Sequence, residues 1–243
     1  MHDSWPRTGR GDALRRPRWP NNDIQCSDGG DGLWNWETEM RRIIASAFVS
    51  LDGVMQGPGG PDEDRSGGFD LGGWTVKYSD EKSGSAVMRT LGTLARPNDV
   101  LLGRKTYDIW ASVWPHLPAD NPMAAVYNKA NKYVMTSGTS TLSWANSHQL
   151  RSIDELKKVK AGNGPDIIMW GSSTLFPQLL EANLLDRLLL LTFPLTLGKG
   201  KKLFGTTTHP VTMKLLASEV NSTGVIIATY EPPQAPTFWN MRT

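Results

Sequence analysis

The sequence predicts one α/β domain, in which helices cover both faces of a mainly parallel sheet that closes with an antiparallel hairpin. Strand-like and helix-like segments alternate from about residue 41, which is typical of a parallel sheet between two helical layers. The first strand candidate, "RRIIASAFVS" (41–50), has an almost continuous apolar centre, as expected for a strand covered on both faces. Near the carboxyl terminus, two strand-like segments flank a turn at 221–224, which predicts the hairpin.

The remaining elements follow in order between these two ends. A glycine-rich loop (52–74) comes after the first strand, and residues 79–96 are a helix candidate because Ser79 can cap it and acidic residues occupy its first turn. The helix predicted over 172–184 starts around Ser173, because Pro177 is tolerated only near a helix start. The other predicted elements are strands at 99–103, 132–137 and 166–171, a further strand within 186–198, and a helix at 152–160.

We predict that the folded domain spans residues 40–232 and carries an extension at each end. Residues 1–39 are rich in Gly, Pro, Arg and Asp and hold few large aliphatic residues, so they bury too little surface to offset their ordering entropy. We therefore expect a disordered extension, with a tryptophan-rich docking arm as the alternative. Residues 233–243 form a short tail after prolines that cannot continue a strand.

Composition limits the partners of this domain. The formal net charge of +2 provides no general field for nucleic acid or for an anionic membrane, and no apolar run approaches the roughly 18 residues that a membrane span requires. The single cysteine, Cys26, excludes an internal disulfide framework and a cysteine-based zinc cluster. The first twenty residues lack the apolar core of a signal peptide, so we expect a cytoplasmic protein. The histidines show no metal-binding spacing, and no metal site is predicted.

The segment "GSST" (171–174) is the first candidate phosphate site. Gly171 allows the backbone to approach a ligand, while Ser172, Ser173 and Thr174 offer hydroxyls and backbone N–H groups at the start of the predicted helix. A helix amino terminus carries unsatisfied donors and partial positive charge, which favour a phosphate or pyrophosphate. The alternative is a strand–turn–helix junction with a serine cap, which is common in α/β proteins.

The segment "GRKT" (103–106) is the second candidate, at the carboxyl end of the strand predicted over 99–103. Thr106 and the following amides can hold a phosphate, and Arg104 or Lys105 can contribute a charge-assisted hydrogen bond. Such cations suit the 2′-phosphate of an adenosine, which would favour NADPH over NADH. The alternative is a solvated strand end. Open α/β sheets bind ligands at the carboxyl ends of their strands, and two such ends together point to a dinucleotide.

Several other nucleotide-binding and catalytic motifs are missing from the sequence. It contains no G-x-x-x-x-G-K-[ST] and no G-x-G-x-x-G after the first strand, which disfavours a P-loop and an ordinary Rossmann domain. The stretch "GKGKKLF" (198–204) lacks the Ser/Thr of a P-loop and is interpreted as an exposed basic loop. A G-x-S-x-G elbow is also missing, so serine hydrolysis has no support.

Together these segments resemble the dihydrofolate reductase superfamily, and most closely the branch of the reductase domain of bifunctional riboflavin-biosynthesis enzymes and its stand-alone relatives. The likeness covers about residues 41–231 and depends on "SLDGVMQG", "LLGRKTYDIW", "KYVMTS" and the string from "IIMWGSSTLFPQLL" to "LGKGKKLF". The resemblance implies a three-layer α/β/α sandwich, NADPH as the hydride donor and a homodimer. It implies that residues 103–106 and Ser137 face the adenosine and its phosphates, that 171–174 hold the pyrophosphate, and that Ala47 and Met55 border the nicotinamide.

Two further residues are candidates for direct contact with substrate. Asp52 lies at the end of the first strand, where it can orient a substrate group, or relay a proton if burial raises its pKa; the alternative is an ordinary turn opener. The loop after it is interpreted as a lid, and Trp74 at its end can stack on a flat ring or serve packing alone. We therefore expect an NADPH-dependent reductase of a small pterin- or pyrimidine-like heterocycle, or of another carbonyl or imine. The alternatives are an inactive nucleotide-binding or sensor protein and a purely structural domain.

Overall fold

The computed structural model describes residues 40–78, 96–205 and 210–233. The predicted disordered extension (1–39), all but the last residue of the helix predicted over 79–96, and all but the first residue of the predicted tail lie outside the described residues. Within the described part, the strands are β1 (Ile43–Ser50), β2 (Asp99–Gly103), β3 (Lys132–Met135), β4 (Ser147–Leu150), β5 (Ile167–Trp170), β6 (Arg187–Phe193), β7 (Lys214–Val220) and β8 (Ile226–Glu231). The helices are α1 (Arg104–Ala111), α2 (Pro122–Lys129), α3 (Ile153–Ala161) and α4 (Phe176–Glu181).

The strands form one sheet in the order β4-β3-β2-β5-β1-β6-β8-β7. The first six strands of this order are mutually parallel, whereas β8 runs antiparallel to β6 and pairs with β7 as a hairpin. The structure therefore confirms the predicted mainly parallel sheet and its closing hairpin. Because the parallel strands share one direction, the carboxyl ends of β1, β2, β3, β5 and β6 lie along the same edge.

Two apolar clusters cover the opposite faces of the sheet and make the three layers. One cluster holds Leu102 of β2 and Tyr107 of α1, together with Tyr127 of α2. The other holds Leu101 of β2 with side chains of α3 and α4, among them Leu156 and Phe176. Alternation along each strand sends neighbouring residues to opposite clusters, which explains why the central strands are apolar at nearly every position. The layers agree with the predicted α/β/α sandwich.

The structure differs from the prediction in three elements that were not predicted and in the start of one helix. Helices α1 and α2 and the short edge strand β4 were not predicted, although Asn121 caps α2 by accepting hydrogen bonds from Met123 N and Ala124 N. The helix predicted to start around Ser173 begins at Phe176, because residues 172–175 form a turn in which Leu175 N donates to the Ser172 carbonyl at 2.8 Å. Of the helices described, none combines the length and the apolar character that crossing a bilayer requires.

Candidate nucleotide-binding site

The carboxyl ends of β2 and β5 contact each other directly. The Gly103 N–H donates a hydrogen bond to the Ser172 hydroxyl at 2.8 Å, and the Ser172 hydroxyl lies 3.3 Å from Thr106 Oγ1. A Cβ added to Gly171 would lie 3.4 Å from Thr106 Oγ1, in van der Waals contact, so the two segments approach closely at this point. The structure thus brings both predicted phosphate segments together. We refer to the surface made by Gly103, Thr106, Gly171 and Ser172 as the strand-tip groove.

The backbone at the β5 end of the groove has a left-handed conformation. Gly171 has φ 58° and Ser172 has φ 60°, and these two residues turn the chain sharply before α4. Ser173 is half-buried and Thr174 is exposed in the turn that follows. Since α4 contains only six residues and starts at Phe176, the prediction of a helix amino terminus at 172–174 is wrong. Any anion-binding capacity here comes from the turn and its hydroxyls.

Arg104 and Lys105 extend from the start of α1 in different directions. The Arg104 Nε donates to both carboxylate oxygens of Asp108, at 2.9 and 3.0 Å, and its Nη1 donates to the Ser140 carbonyl. The Lys105 ammonium instead pairs with Asp64 of the loop after β1, at 2.6 Å. Each cation already has a carboxylate partner in the protein. A bound phosphate would therefore share or displace that partner.

Ser137 lies on the Arg104 side of the groove. It follows the carboxyl end of β3 and is exposed, in the same segment as Ser140, whose carbonyl accepts the hydrogen bond from Arg104. Gln149 fixes this segment, because its side-chain amide donates a hydrogen bond to the Gly138 carbonyl at 2.6 Å. The strand ends of β3, β2 and β5 consequently present Ser137, Arg104 and the strand-tip groove in sequence along one edge.

Ala47 and Met55, the predicted neighbours of a nicotinamide, are buried. Their exposed fractions are 3% and 8%, and both belong to the cluster that packs against α3 and α4. The Met55 N–H also donates to the Lys201 carbonyl at 2.8 Å. In this conformation both side chains serve core packing and offer little surface to a ring.

Asp52 anchors a neighbouring loop. Its two carboxylate oxygens accept hydrogen bonds from Leu197 N at 3.1 Å and Gly198 N at 2.8 Å, and the Ser50 hydroxyl donates to it at 2.6 Å. The hydrogen bond from Ser50, followed by those from the two amides, lowers the pKa of Asp52 to about 2. The condition for a proton relay, a pKa raised by burial, is therefore not met. An orienting contact with substrate stays a prediction.

Trp74 is part of the core. Its ring is only 6% exposed, packs edge-on against Phe193 at 5.2 Å between centroids, and donates its Nε1 hydrogen bond to the Gln56 carbonyl at 2.8 Å. Burial of an indole stabilises a fold through its large apolar area, provided that its N–H has a hydrogen-bond acceptor. The prediction that Trp74 stacks on a substrate ring is therefore not supported, and the packing alternative describes its surroundings.

The loop predicted to be a lid is fastened at several points. Buried Gln56 donates to the carbonyls of Asp64 and Ser66 and accepts a hydrogen bond from Lys201 N. Lys105 and Lys201 bind the two carboxylate oxygens of Asp64 at 2.6 and 2.8 Å. Burial opposes ionisation of Asp64, but the hydrogen bonds from the two lysines and from Ser66 together outweigh it and hold the pKa of that carboxyl well below its usual range. We call residues 52–74 the anchored loop.

An aromatic cluster lies under the strand-tip groove and was missed by the sequence reasoning. Trp170, the last residue of β5, packs against Trp110 of α1 at 5.9 Å and against Phe48 of β1 at 6.2 Å. Trp110 also contacts Tyr127 and Trp114, at 4.8 and 5.6 Å. The helical spacing of Tyr107, Trp110 and Trp114 in "TYDIWASVW" is a signal that could have predicted it. Phe48, Trp110 and Trp114 are partly exposed, so the cluster offers flat apolar surface near the groove.

A surface cavity lies between the anchored loop and residues 199–201. It is lined by Gln56, Ser66, Gly67, Phe69 and residues 199–201. One of the two lysines that border it, Lys199, is paired with Asp70 at 2.7 Å, and the other, Lys201, with Asp64. Its lysines, like Arg104 and Lys105 beside the groove, therefore already have carboxylate partners.

Comparison with known proteins supplies the family relationship. The family model described as the RibD C-terminal domain matches residues 41–227. The uncharacterized protein YyaP of Bacillus subtilis (strain 168) is 25% identical over 199 residues, which is 79% of this chain and 95% of that protein.

Two solved structures share the fold. A putative riboflavin biosynthesis protein from Shewanella sp. PV-4 superposes with a TM-score of 0.59 at 19% identity, covering 79% of this chain and 99% of the other. Dihydrofolate reductase from Enterococcus faecalis, solved with NADP(H) and RAB-propyl, superposes with a TM-score of 0.51 at 16% identity, covering 79% and 96%. At these identities the likeness establishes the fold, in agreement with the three layers described above.

Proposed function

Because the chain belongs to the family of RibD C-terminal domains, we propose that it is a reductase that uses NADPH. We further propose that it transfers hydride to a small pterin- or pyrimidine-like heterocycle, or to another carbonyl or imine. The family assignment supports reductase chemistry in general. The choice of cofactor and the kind of substrate rest on the residues of the strand-tip groove and of the aromatic cluster.

One observation carries the cofactor proposal: two strand ends from distant parts of the sequence meet, and their glycines and hydroxyls lie side by side. A Cβ on Gly103 would lie 3.3 Å from Ser172 Oγ, and one on Gly171 would lie 3.4 Å from Thr106 Oγ1. The two glycines carry no side chain that would cover this surface, so a pyrophosphate could approach the backbone and would compete for the hydrogen bonds that the Ser172 hydroxyl makes with Gly103 N and the Trp170 carbonyl. The residues present thus fit the phosphates of a dinucleotide.

The preference for NADPH over NADH is assigned to Arg104 and Lys105. Both side chains start beside the groove, and both bind carboxylates, the anions that most resemble a phosphate group in geometry and charge. We propose that the 2′-phosphate of the cofactor takes over part of these contacts. Arg104, which also touches the 136–140 segment through Ser140, lies nearest to the predicted adenosine side.

The protein would contribute position and exclusion of water to the reaction, since the hydride comes from the reduced nicotinamide when the cofactor is bound. The half-buried rings of Phe48 and Trp110 flank Trp170 at the carboxyl end of β5 and supply flat apolar walls for a substrate ring. Asp52 remains ionised at neutral pH, so it would orient a donor group of the substrate and would not deliver a proton.

The second candidate is a nucleotide-binding sensor of the same fold that does not turn over substrate. It is favoured by the role of Asp52, the predicted polar catalytic residue, whose carboxylate is held by two backbone N–H groups and one hydroxyl. A carboxylate engaged in this way has less capacity for substrate than one that faces an open pocket. The two candidates share the cofactor groove and differ in turnover.

A two-stage experiment separates these candidates. NADPH titrated into the protein is expected to quench its tryptophan emission, since reduced nicotinamide absorbs where tryptophan emits, and NADH is expected to quench only at higher concentration. Absence of quenching, with no preference for NADPH, would remove both candidates. If NADPH binds, its oxidation is then followed at 340 nm with pterins, pyrimidines and quinones. Oxidation of NADPH with any of these compounds supports the enzyme. Absence of oxidation with all of them supports the sensor.

We also propose a cytoplasmic homodimer. Every residue of the edge strand β7 is exposed, including Leu215 and Leu216, and an edge strand of this kind presents backbone groups that a second strand can pair with. Sedimentation velocity tests the dimer: a species of twice the chain mass of 26.8 kDa is expected. A protein that sediments as a 26.8 kDa monomer at micromolar concentration would contradict it.

A further inference from the structure

Two buried polar side chains in the centre of the sheet have no hydrogen-bond partner among the described residues. They are the Ser46 hydroxyl on β1 and the Trp170 indole N–H on β5, whose residues are 1% and 8% exposed. Leaving a buried hydroxyl or indole N–H unpaired costs free energy, and native proteins contain few such groups. An unpaired donor at the edge of a predicted binding site therefore calls for an explanation.

The two side chains are neighbours. Ser46 and Trp170 are directly paired residues of the parallel strands β1 and β5, so their side chains project from the same face of the sheet. That face is the one that carries Phe48, two residues after Ser46, and the Phe48 ring contacts Trp170. Trp170 immediately precedes Gly171 of the strand-tip groove. The unpaired groups thus lie at the junction of the groove and the aromatic cluster.

The position of this pair distinguishes it from another unpaired hydroxyl. Ser147 Oγ also lacks a partner, but it lies on the edge strand β4, three strands away from β5 in the sheet order. A single unpaired hydroxyl is an ordinary imperfection of a fold. Two unpaired groups side by side, next to flat aromatic surface and to a cofactor groove, match the polar handles of a ligand pocket.

We propose that Ser46 and Trp170 form a polar pair that recognises the substrate ring by hydrogen bonds. This inference rests on the proposed function, since it concerns the compound that would lie beside the cofactor. The indole N–H can only donate, so the ring must present an acceptor, such as a carbonyl oxygen or a ring nitrogen. The Ser46 hydroxyl donates or accepts and bonds a second heteroatom on the same edge. A ring edge with a carbonyl beside a ring N–H satisfies both groups, whereas a hydrocarbon edge leaves both unpaired.

The test compares ring binding with stability in three variants. Ser46→Ala removes one hydroxyl, Trp170→Phe keeps an aromatic ring without its N–H, and Ser147→Ala makes the same serine change at the distant position. Binding of pterin and of 5-aminouracil to the NADPH-saturated protein is measured by calorimetry. Unfolding of each protein without ligand is measured with urea.

We expect Ser46→Ala and Trp170→Phe each to weaken ring binding about tenfold, roughly the effect of one hydrogen bond lost to a partner that stays buried. Because its hydroxyl has no partner in the protein, Ser46→Ala should leave the urea midpoint unchanged or raise it. Ser147→Ala should change neither ring binding nor the midpoint by a comparable amount. A Ser46→Ala variant that unfolds at lower urea while binding the rings as before would overturn the inference.

Two other outcomes distinguish failure of the recognition pair from failure of the proposed function. If neither ring binds the parent protein although NADPH binds and is oxidised with another compound, the recognition pair is refuted and the reductase proposal stands. If NADPH itself fails to bind the parent, the proposed function fails first and takes the inference with it.

Discussion

The strand-tip groove and the anchored loop are both built from small polar residues at strand ends, yet they use those residues in opposite ways. In the groove, Gly103 and Gly171 leave a space that the Ser172 and Thr106 hydroxyls line. In the anchored loop, polar groups such as Asp52 and Gln56 turn inward and bind the backbone of residues 197–201. We propose that the groove serves a ligand, whereas the polar groups of the loop serve the fold.

Polar residues at a strand end therefore indicate where a site can form. They do not indicate whether their side chains face a ligand or bind the protein itself. Glycines keep the groove open, because no side chain of their own can fill it. Carboxylates and a tryptophan in the loop found partners within the fold, since buried polar groups are rarely left unpaired. Changes in the loop should therefore alter stability, and changes in the groove should alter cofactor affinity.

The largest effect is expected at Trp74. Trp74→Ala removes a buried indole that packs on Phe193 and bonds the Gln56 carbonyl, so the free energy of unfolding in urea should fall by about 3–5 kcal/mol. Trp74→Phe keeps most of the packing and should lose less. NADPH affinity of the folded protein should stay unchanged in both. A change below about 1 kcal/mol, accompanied by lost substrate binding, would restore the stacking role.

Gly171→Ala tests the groove against a matched glycine. The added methyl would meet Thr106 at 3.4 Å and occupy the groove, so NADPH should bind at least about tenfold more weakly. Gly224→Ala in the β7–β8 turn is the control, because Gly224 also has a positive φ, of 83°, and lies away from the groove. Both variants should lose about 1–2 kcal/mol of stability from the left-handed backbone. Equal NADPH affinity in the two variants would contradict the assignment.

Lys105→Ala and Lys201→Ala each remove one ammonium group from the carboxylate of Asp64 and the hydroxyl of Ser66. If Lys105 also binds the 2′-phosphate, its loss should weaken NADPH by about tenfold and leave NADH unaffected, as for one charge-assisted hydrogen bond. Lys201→Ala should leave both affinities unchanged and cost only a few tenths of a kcal/mol, because its side chain is well exposed. Fluorescence titrations with the two nucleotides give the comparison, and equal loss of NADPH and NADH in Lys105→Ala would refute the phosphate role.

The smallest effect is the pH dependence that Asp52 confers. A carboxyl whose pKa falls from 3.8 to about 2 on folding stabilises the protein fully above pH 4 and loses that contribution as the pH falls through 2. Asp52→Asn should remove part of the acid sensitivity of the urea midpoint in this window. Asp120→Asn, which removes the same charge at an exposed position, serves as the control. In the reductase assay, the pH profile near neutral pH should be the same for Asp52→Asn and for the parent protein.

The sequence predicted the parts of the fold that depend on local pattern. The alternation of apolar strands and helices was enough for β2, β5 and α3, a helix that Ser152 caps by accepting a hydrogen bond from Glu155 N. The contact between the 103–106 and 171–174 segments followed from the shared direction of parallel strands. Helix α1 was missed because its first residues were interpreted only as ligand-binding groups.

What could not be predicted depends on contacts between residues far apart in the chain. Asp52 binds amides 145 and 146 positions later, and no local pattern indicates that those amides face it. Lys132 is another case: it is fully buried, and its ammonium donates to three backbone carbonyls at the end of α2, although lysines are usually exposed. The unpaired Ser46 and Trp170 became visible only once the strand register placed them side by side.

Hydrogen–deuterium exchange with and without saturating NADPH tests the strand-tip groove most directly. We expect slower amide exchange in peptides that cover residues 103–106, 136–138 and 171–174, with little change across the β7–β8 hairpin. Protection confined to the cavity at residues 199–201, or binding that leaves 103–106 and 171–174 unprotected, would show that the cofactor binds elsewhere and would contradict the account.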